Sequence, residues 1–240
     1  MFPRTQAGEP LEAVVVNTAG GIAGGDRLEW AVTALENASI AVTSQTPERA
    51  YRALDEPARV TTKLEARDAA RLAWLPQETI VFDRSRLRRR TAVELSADAE
   101  ILALEWFVLG RAARKEEVVD GLMTDSWQVR VDGRLVWADT FRVAGETFPR
   151  LRRRALLSEH RAAATLIHAG SHSHGRLESI RDLVASLECA GGATSVGGLI
   201  IVRLAAAGAF ELRRAACGLL EGFGRELAGG PFRVPKMWSS

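Results

Sequence analysis

The most unusual local feature of the sequence is a glycine cluster at residues 17–28, which reads NTAGGIAGGDRL. Glycine adopts positive φ and allows close approach to the backbone, so such a cluster can cradle a phosphate. However, no Gly-Lys-Ser/Thr follows, and a strand is predicted where a phosphate-binding loop needs a helix. The residues alone therefore favour a tight turn between two strands. The candidate functional residues of this turn are Gly20, Gly21, Gly24, Gly25, Asp26 and Arg27.

Three histidines, His168, His172 and His174, have the spacing H-x3-H-x-H. Imidazole is a ligand of several transition metals, and a flexible loop can bring two rings to one ion. The neighbouring residues are glycine and serine, and no acid is present nearby to orient the rings. We therefore favour a solvated polar loop between a strand and a helix over a metal site.

No set of residues typical of a catalytic nucleophile is found. The sequence has neither Gly-x-Ser-x-Gly nor His-Glu-x-x-His. The one other histidine, His160, falls in a stretch predicted to be helical. This pattern is more typical of a scaffold protein than of an enzyme.

The composition disfavours several classes of protein. The 32 basic and 30 acidic residues give a net charge of +2, whereas nucleic-acid-binding domains usually carry a strong basic excess. No apolar run approaches the roughly 20 residues needed to cross a bilayer, and no secretory leader is recognisable. Cys189 and Cys217 are too far apart in sequence for a CxxC site. We expect a cytoplasmic protein that binds neither membrane nor nucleic acid.

The first part of the chain is predicted to be rich in strands. Short runs of Val, Ile, Thr and Trp recur between breaks, as in β proteins. Asp132-Gly133, between two such runs, predicts a hairpin. Strands are predicted at 11–16, 28–35, 39–43, 58–64, 71–75, 79–82, 87–95, 101–109, 126–131 and 135–143.

The pattern changes after Pro149. Apolar residues recur at helical spacing over 177–188 and 209–227, and a strand is predicted at 199–204. The apolar tail at 232–238 is expected to pack on the body or against a partner. Since no linker or repeat is visible, we expect one domain over residues 1–240, mainly β, with a few helices near its C-terminal end.

Five segments, in order along the chain, resemble motifs of the urease accessory protein UreD (UreH) family. The glycine cluster resembles the family signature, and 42–52 resembles a block that ends in Tyr-Arg. Residues 74–80 carry Trp-Leu-Pro-Gln-Glu, 105–111 end in Leu-Gly-Arg, and 234–238 are similar to the closing Leu-Pro-Arg-x-Trp. Family members usually have a few tens of residues before the first strand seen here, so we expect an opening strand or two to be missing.

The resemblance implies a non-catalytic protein that acts with UreF and UreG to deliver nickel to apo-urease. It also implies a β-helix-like body of stacked strands with two helices, and an internal channel lined partly by carboxylates. No tightly bound cofactor is implied, because nickel would be cargo in transit.

Acidic residues set among strand residues are the candidates for such a nickel path, because weak oxygen ligands suit transit better than thiolates. Asp26 ends the glycine cluster, Glu105 interrupts the apolar run 101–109, and Asp139 lies within 135–143. Glu48 and Glu78 are weaker candidates. The alternative for each acid is an ion pair with one of the many arginines, and for Asp26 the two interpretations are equally favoured. Met237 and Trp238 are candidate partner-binding residues.

Two other classes of function stay open. A hydrolase or transferase would use the Gly20–Asp26 loop and a pair of carboxylates, and a cleft with two perturbed acids around Asp26 would favour it. A nucleic-acid-binding module would use the arginines at 84–90 and 150–154, and their dispersal over several faces would argue against it. We expect the first arginine run to be the solvent face of a strand, with Leu87 and Val93 turned inward.

Overall fold

Parallel strands, stacked turn upon turn, form the first half of the molecule. The computed structural model describes residues 11–170, 173–226 and 233–239 of the chain. The strands are β1 (Leu11–Val15), β2 (Arg27–Ala34), β3 (Ser39–Ser44), β4 (Glu48–Ala50), β5 (Ala58–Ala66), β6 (Arg71–Leu75), β7 (Thr79–Val81), β8 (Arg86–Leu95), β9 (Glu100–Leu109), β10 (Leu122–Val131), β11 (Arg134–Ala144), β12 (Ala162–Ala169), β13 (Ala190–Val196) and β14 (Leu199–Ala206). The helices are α1 (Thr147–Arg150), α2 (Leu177–Ser186) and α3 (Ala209–Glu226).

The strands form two sheets. One has five strands in the order β11-β10-β8-β5-β2. The other has nine, with β1-β3-β6-β9-β12-β14-β13 in order and β4 and β7 beside them. Strands β2, β5, β8 and β10 run parallel in the first sheet, and β3, β6 and β9 run parallel in the second. The chain thus alternates between the sheets as a coil, which confirms the predicted stacked-strand fold with helices near the C-terminal end.

Side-chain alternation separates the two sides of the nine-stranded sheet. One side faces the five-stranded sheet, and Trp74, Ile101 and Ala103 pack there against residues such as Val93 and Trp127. The other side packs under α2 and α3, with Trp106 and Phe223 in this second core. Strand β9 is therefore covered on both faces, which explains why its sequence is a nearly continuous apolar run.

Most predicted elements lie within a few residues of the observed ones, and the hairpin is confirmed. Asp132 and Gly133 have φ of 50° and 75°, as a two-residue hairpin turn requires, and they join the antiparallel β10 and β11. Strands β4, β12 and β13 were not predicted. β4 is only three residues long, and β13 is a largely exposed edge strand containing two glycines, so neither has a strong apolar pattern.

The helix predicted around His160 is not observed. The sequence predicted helical structure there, but His160 lies in a series of turns that ends where β12 begins. β12 pairs with both β9 and β14, and this pairing overrides the local Ala- and Leu-rich preference for helix. None of the described helices is long and apolar enough to span a membrane. The segment before β1, where an opening strand was expected to be missing, lies outside the described residues.

Candidate functional site

Two cavities between the sheets share one lining residue, Glu105. The first, here called the glycine-loop cavity, extends from Asn17 and Glu48 to Arg89 and Glu105. The second, here called the Arg203 cavity, extends from Glu105 and Asp125 to Asp139 and Arg203. Both include exposed lining residues, Gln45 and Thr46 in the first and Thr140 and Gly192 in the second. The cavities thus reach solvent and meet at one buried carboxylate.

A buried guanidinium with two carboxylates stands where the cavities meet. Arg89 donates from Nε to Asp125 Oδ1 at 3.0 Å and from Nη2 to Asp125 Oδ2 at 2.8 Å. Its Nη1 lies 2.6 Å from Glu105 Oε2, while Trp74 Nε1 donates to Glu105 Oε1 at 2.9 Å. All three charged side chains are about 5% exposed or less. Each carboxylate is therefore paired, and the arginine-paired alternative is the one observed for Glu105.

The strand register brings these three side chains together. Alternation along β8 turns Leu87, Arg89 and Val93 inward, and Arg89 is aligned with Asp125 on the adjacent β10. Glu105 lies on the inward face of β9, in the opposite sheet. The Arg89–Glu105 pair therefore joins the two sheets, while the Arg89–Asp125 pair lies within one sheet.

Arg89, Glu105 and Asp125, here called the triad, carry one negative charge in excess, because one guanidinium faces two carboxylates. Burial raises the pKa of Glu105; the neighbouring Arg89 opposes this shift, and the Asp125 carboxylate adds to it. Burial by itself would lower the pKa of Arg89, but Asp125 and Glu105 outweigh it and the pKa is raised. The guanidinium is thus firmly charged, and Glu105 takes up a proton more readily than an exposed glutamate does.

Asp139 lies at the outer end of the Arg203 cavity rather than in the core. Its Oδ2 accepts a hydrogen bond from Arg203 Nη2 at 2.7 Å, and its side chain is about one-third exposed. This pair also joins the two sheets, because Asp139 is on β11 and Arg203 on β14. Of the three acids proposed for a nickel path, Glu105 and Asp139 therefore line the same cavity.

Asp26 is not among the residues that line either cavity. Its Oδ2 accepts the backbone N–H of Ala23 at 2.8 Å, which closes the turn of the glycine cluster. Tyr51 ties this turn to the body, since its hydroxyl donates to the Gly20 carbonyl oxygen at 3.0 Å. The cluster is thus a tight turn leading into β2. A role of Asp26 in catalysis or metal transit has no support in this geometry.

Glu48 and Asn17 line the inner side of the same turn. Asn17 Nδ2 donates to Glu48 Oε2 at 2.9 Å, and burial raises the pKa of Glu48 despite this hydrogen bond. Glu48, one of the two weaker candidates, lines the glycine-loop cavity, whereas Asp26 does not.

Replacement of Gly21 by alanine is expected to destabilise the turn strongly. Gly21 has φ of 150°, and a Cβ there would lie 2.3 Å from Tyr51 Cε2 and 2.8 Å from the Arg49 carbonyl oxygen. We expect Gly21→Ala to lower the free energy of unfolding by about 2–4 kcal/mol, measured by urea denaturation. Gly20→Ala is the control, because Gly20 also has positive φ but has no atom within 4 Å of an added Cβ. Equal losses for both variants would contradict the steric explanation.

Four of the five motif segments meet where the C-terminal tail, residues 233–239, packs on the body. Trp238 stacks on Trp106 with ring centroids 5.3 Å apart, and Trp238 Nε1 donates to Thr43 Oγ1 at 3.1 Å. Arg213 of α3 donates to Glu78 Oε2 at 2.7 Å and to the Trp238 carbonyl oxygen. The tail therefore packs on the body, one of the two predicted outcomes, while Phe232 lies outside the described residues. Partner binding by Met237 and Trp238 stays a prediction; for Trp238, it would require the indole to leave this packing.

The histidine pattern does not form one loop. His168 lies in β12 and is fully buried, with its Nε2 3.0 Å from Glu100 Oε1 and its Nδ1 3.1 Å from Ser173 Oγ. The prediction of a solvated loop is therefore wrong for His168, because the strand continues one residue beyond it. His172 lies outside the described residues. Among the described residues, no group of three or more His, Cys, Asp or Glu side chains is arranged to hold a metal ion.

Neither Arg89 nor Asp125 was predicted as a site residue from the sequence. Arg89 was treated as part of an exposed arginine run, although Arg88 and Arg90 face solvent and Arg89 faces inward. The sequence did contain a signal for Arg89. Leu87 and Val93 were predicted to face inward, and residue 89 lies an even number of positions from both, so it falls on the same face of the strand. Asp125 lay just outside the predicted strand 126–131. The arginines of 84–90 are thus divided between the interior and the surface, which argues against a continuous nucleic-acid-binding face.

Comparison with known proteins agrees with the motif resemblance. A family model described as "UreD urease accessory protein" matches residues 1–239. A urease accessory protein UreD from Rhizobium leguminosarum bv. viciae is 43% identical over 229 residues, which cover 95% of this chain and 81% of that protein. One from Methylobacterium sp. (strain 4-46) is 40% identical over 244 residues, with 100% of this chain and 84% of that protein covered. The chain therefore belongs to the UreD urease accessory protein family.

Proposed function

We propose that this chain is a non-catalytic scaffold of urease maturation that, with UreF and UreG, passes nickel to apo-urease through the space between its two sheets. Its family membership supports a role in urease maturation, and the relatives it matches are named accessory proteins. The observation that carries the path itself is that Glu105 lines both cavities.

The chemistry of the cavity lining supports transit rather than storage. Carboxylate, hydroxyl and amide oxygens are ligands that divalent cations accept, and Glu48, Thr79, Glu105, Asp125 and Asp139 supply such atoms along the two cavities. A conduit must bind an ion well enough to admit it and weakly enough to release it. Single carboxylates spaced along a path meet this requirement better than a cluster of strong ligands.

The excess negative charge of the triad supports the same proposal. A buried carboxylate in excess of its counter-ions is costly, so it attracts either a proton or a metal cation. The raised pKa of Glu105, caused chiefly by burial, is one sign of this cost. A cation that enters either cavity is therefore drawn towards the place where the cavities meet.

The test is the substitution Glu105→Gln, assayed with the urease subunits, UreF and UreG co-expressed. Glutamine keeps the shape and leaves Arg89 balanced by Asp125, so we expect the complexes to assemble unchanged. We expect the nickel content and activity of urease to fall severalfold, because the shared carboxylate is lost. Asp139→Asn, at the outer end of the Arg203 cavity, is expected to act in the same direction.

Asp26→Asn is the matched control, because Asp26 was also a candidate acid for the nickel path but lines neither cavity. It is expected to leave the nickel content of urease unchanged. Full activation of urease by both Glu105→Gln and Asp139→Asn would remove the proposed path. Failure of the chain to copurify with UreF or apo-urease would remove the scaffold role as well.

A further inference from the structure

Arg89 occupies the place where a cation would have to pass. We propose that Arg89 is a displaceable gate: its guanidinium fills the cation position between Glu105 and Asp125, and a divalent cation enters that position only by replacing it. The inference rests on the proposed nickel path, because it assigns to one residue the control of that path.

The contacts of Arg89 are those that a metal ion would need. Its three nitrogen atoms donate to Glu105 Oε2 and to both carboxylate oxygens of Asp125, at 2.6–3.0 Å. Three of the four carboxylate oxygens at this position are thus engaged by the guanidinium, and the fourth accepts from Trp74. A metal ion and the guanidinium cannot use the same oxygens together. In this conformation the two cavities are therefore separated by a bound cation that belongs to the protein.

The charge balance favours replacement of the guanidinium by a divalent cation over permanent exclusion of that cation by Arg89. With Arg89 in place, the two carboxylates are only half neutralised, whereas a divalent cation would neutralise them in full. Two carboxylates of −1 each match the charge of Ni²⁺, and their oxygens are hard ligands that it accepts. In formal charge, a divalent cation would therefore balance the two carboxylates more completely than the guanidinium does.

The polar groups around Arg89 provide for its displacement. Arg89 lines the glycine-loop cavity but is not among the residues lining the Arg203 cavity, so its free space lies on the glycine-loop side. Thr79 Oγ1 already accepts a hydrogen bond from Arg89 Nη1 at 3.2 Å. The next inward pair along β8 and β10 is Thr91 and Trp127, whose buried Oγ1 and Nε1 have no hydrogen-bond partner among the described residues. Neither residue lines either cavity, so the acceptors for a displaced guanidinium are those of the glycine-loop cavity, Thr79 among them.

The direct test measures Ni²⁺ binding to the full 240-residue chain by equilibrium dialysis. Arg89→Leu removes the guanidinium and introduces no ligand atom, so we expect it to bind about one more Ni²⁺ per chain than wild type, and at least tenfold more tightly than any site that wild type offers there. Arg89→Lys keeps a cation in place and is expected to bind no additional Ni²⁺. Arg88→Leu, at the neighbouring exposed position, is expected to behave as wild type. Surface sites contribute equally to all these variants.

The double variant Arg89→Leu/Asp125→Asn locates the additional ion, because it leaves a single carboxylate and is expected to lose the extra binding. The gate is refuted if Arg89→Leu folds and binds no additional Ni²⁺, or if the double variant still binds it. If Arg89→Leu does not fold without metal, refolding is compared in Ni²⁺ and in EDTA. Recovery only with Ni²⁺ supports the proposal, and no recovery in either counts against it.

This binding measurement is independent of urease. Wild-type levels of urease activation by both Glu105→Gln and Asp139→Asn would remove the nickel path, while additional Ni²⁺ binding by Arg89→Leu would still establish the cation site. The two proposals can therefore fail separately.

Discussion

Replacing Trp238 with alanine is expected to lower the free energy of unfolding by about 3–5 kcal/mol. Trp238 is 5% exposed, stacks on Trp106, and hydrogen-bonds to Thr43 through its indole nitrogen. Removal of the indole leaves a cavity over the nine-stranded sheet and removes the partner of a buried hydroxyl. The expected loss is read from the midpoint of urea denaturation.

Two comparisons separate packing from hydrogen bonding at the tail. Trp238→Phe keeps an aromatic ring on Trp106 but loses the donor to Thr43, so a loss of only about 1 kcal/mol is expected. Phe210→Ala is the control for loss of an aromatic ring in general, because Phe210 is 72% exposed, and a change within about 0.5 kcal/mol is expected. A midpoint unchanged in Trp238→Ala would show that the tail does not pack on the body in solution.

Replacing Arg89 with leucine in metal-free buffer at pH 7 is expected to lower the free energy of unfolding by about 3–5 kcal/mol. The reason is not the loss of an attractive pair alone. Glu105 and Asp125 remain buried without a counter-ion, so the folded state carries two uncompensated negative charges. Arg88→Leu, at the exposed adjacent position of the same strand, is expected to change stability by no more than about 0.5 kcal/mol.

The pH dependence of this loss has a defined sign. The folded-state pKa of Glu105 is raised, chiefly by burial, so its contribution favours the folded state at low pH and is lost as pH rises through that folded pKa. Arg89 is the main neighbour that opposes the shift, and its removal raises this pKa further. The difference in stability between wild type and Arg89→Leu is therefore expected to narrow as pH falls from 7 towards the ordinary glutamate value of 4.5.

A charge-neutral background provides the independent check. The triple variant Arg89→Leu/Glu105→Gln/Asp125→Asn removes the guanidinium and both negative charges, and is expected to recover most of the lost stability at pH 7. If the triple variant is as unstable as Arg89→Leu, the loss comes from packing around the guanidinium stem and not from buried charge. A stability difference that does not depend on pH would lead to the same conclusion.

The element pattern was largely predictable because it depends on local sequence. Runs such as 101–109 and 87–95 have strand composition whatever they pack against, and Asp132-Gly133 suits only a narrow set of turns. The edge strand β13 was not predictable in this way, since its residues lack an apolar face and are ordered by pairing with β14. The same holds for the turns around His160, where pairing of the next strand decides the structure.

The candidate acids show most clearly what local sequence leaves open. Asp26, Glu105 and Asp139 were chosen by the same rule, an acid among strand residues. One of them closes a turn, one is enclosed with Arg89 and Asp125, and one pairs with Arg203 near the surface. The local sequences place Asp26 at a turn and Glu105 in an apolar run, but they do not reveal the partners of Glu105 and Asp139, which lie on other strands that are distant along the chain.

The sequence by itself determined the family, with the stacked-strand fold that the family implies, and most of the strands and turns, because motifs, turn residues and alternation are properties of adjacent positions. Only the tertiary structure decided which charges meet. Arg89 comes to Asp125 through the register of β8 and β10, and to Glu105 through the packing of one sheet on the other. Register and sheet packing are set by the whole core at once, and for that reason the partners of the one residue that stands in the proposed nickel path were not visible in the sequence around it.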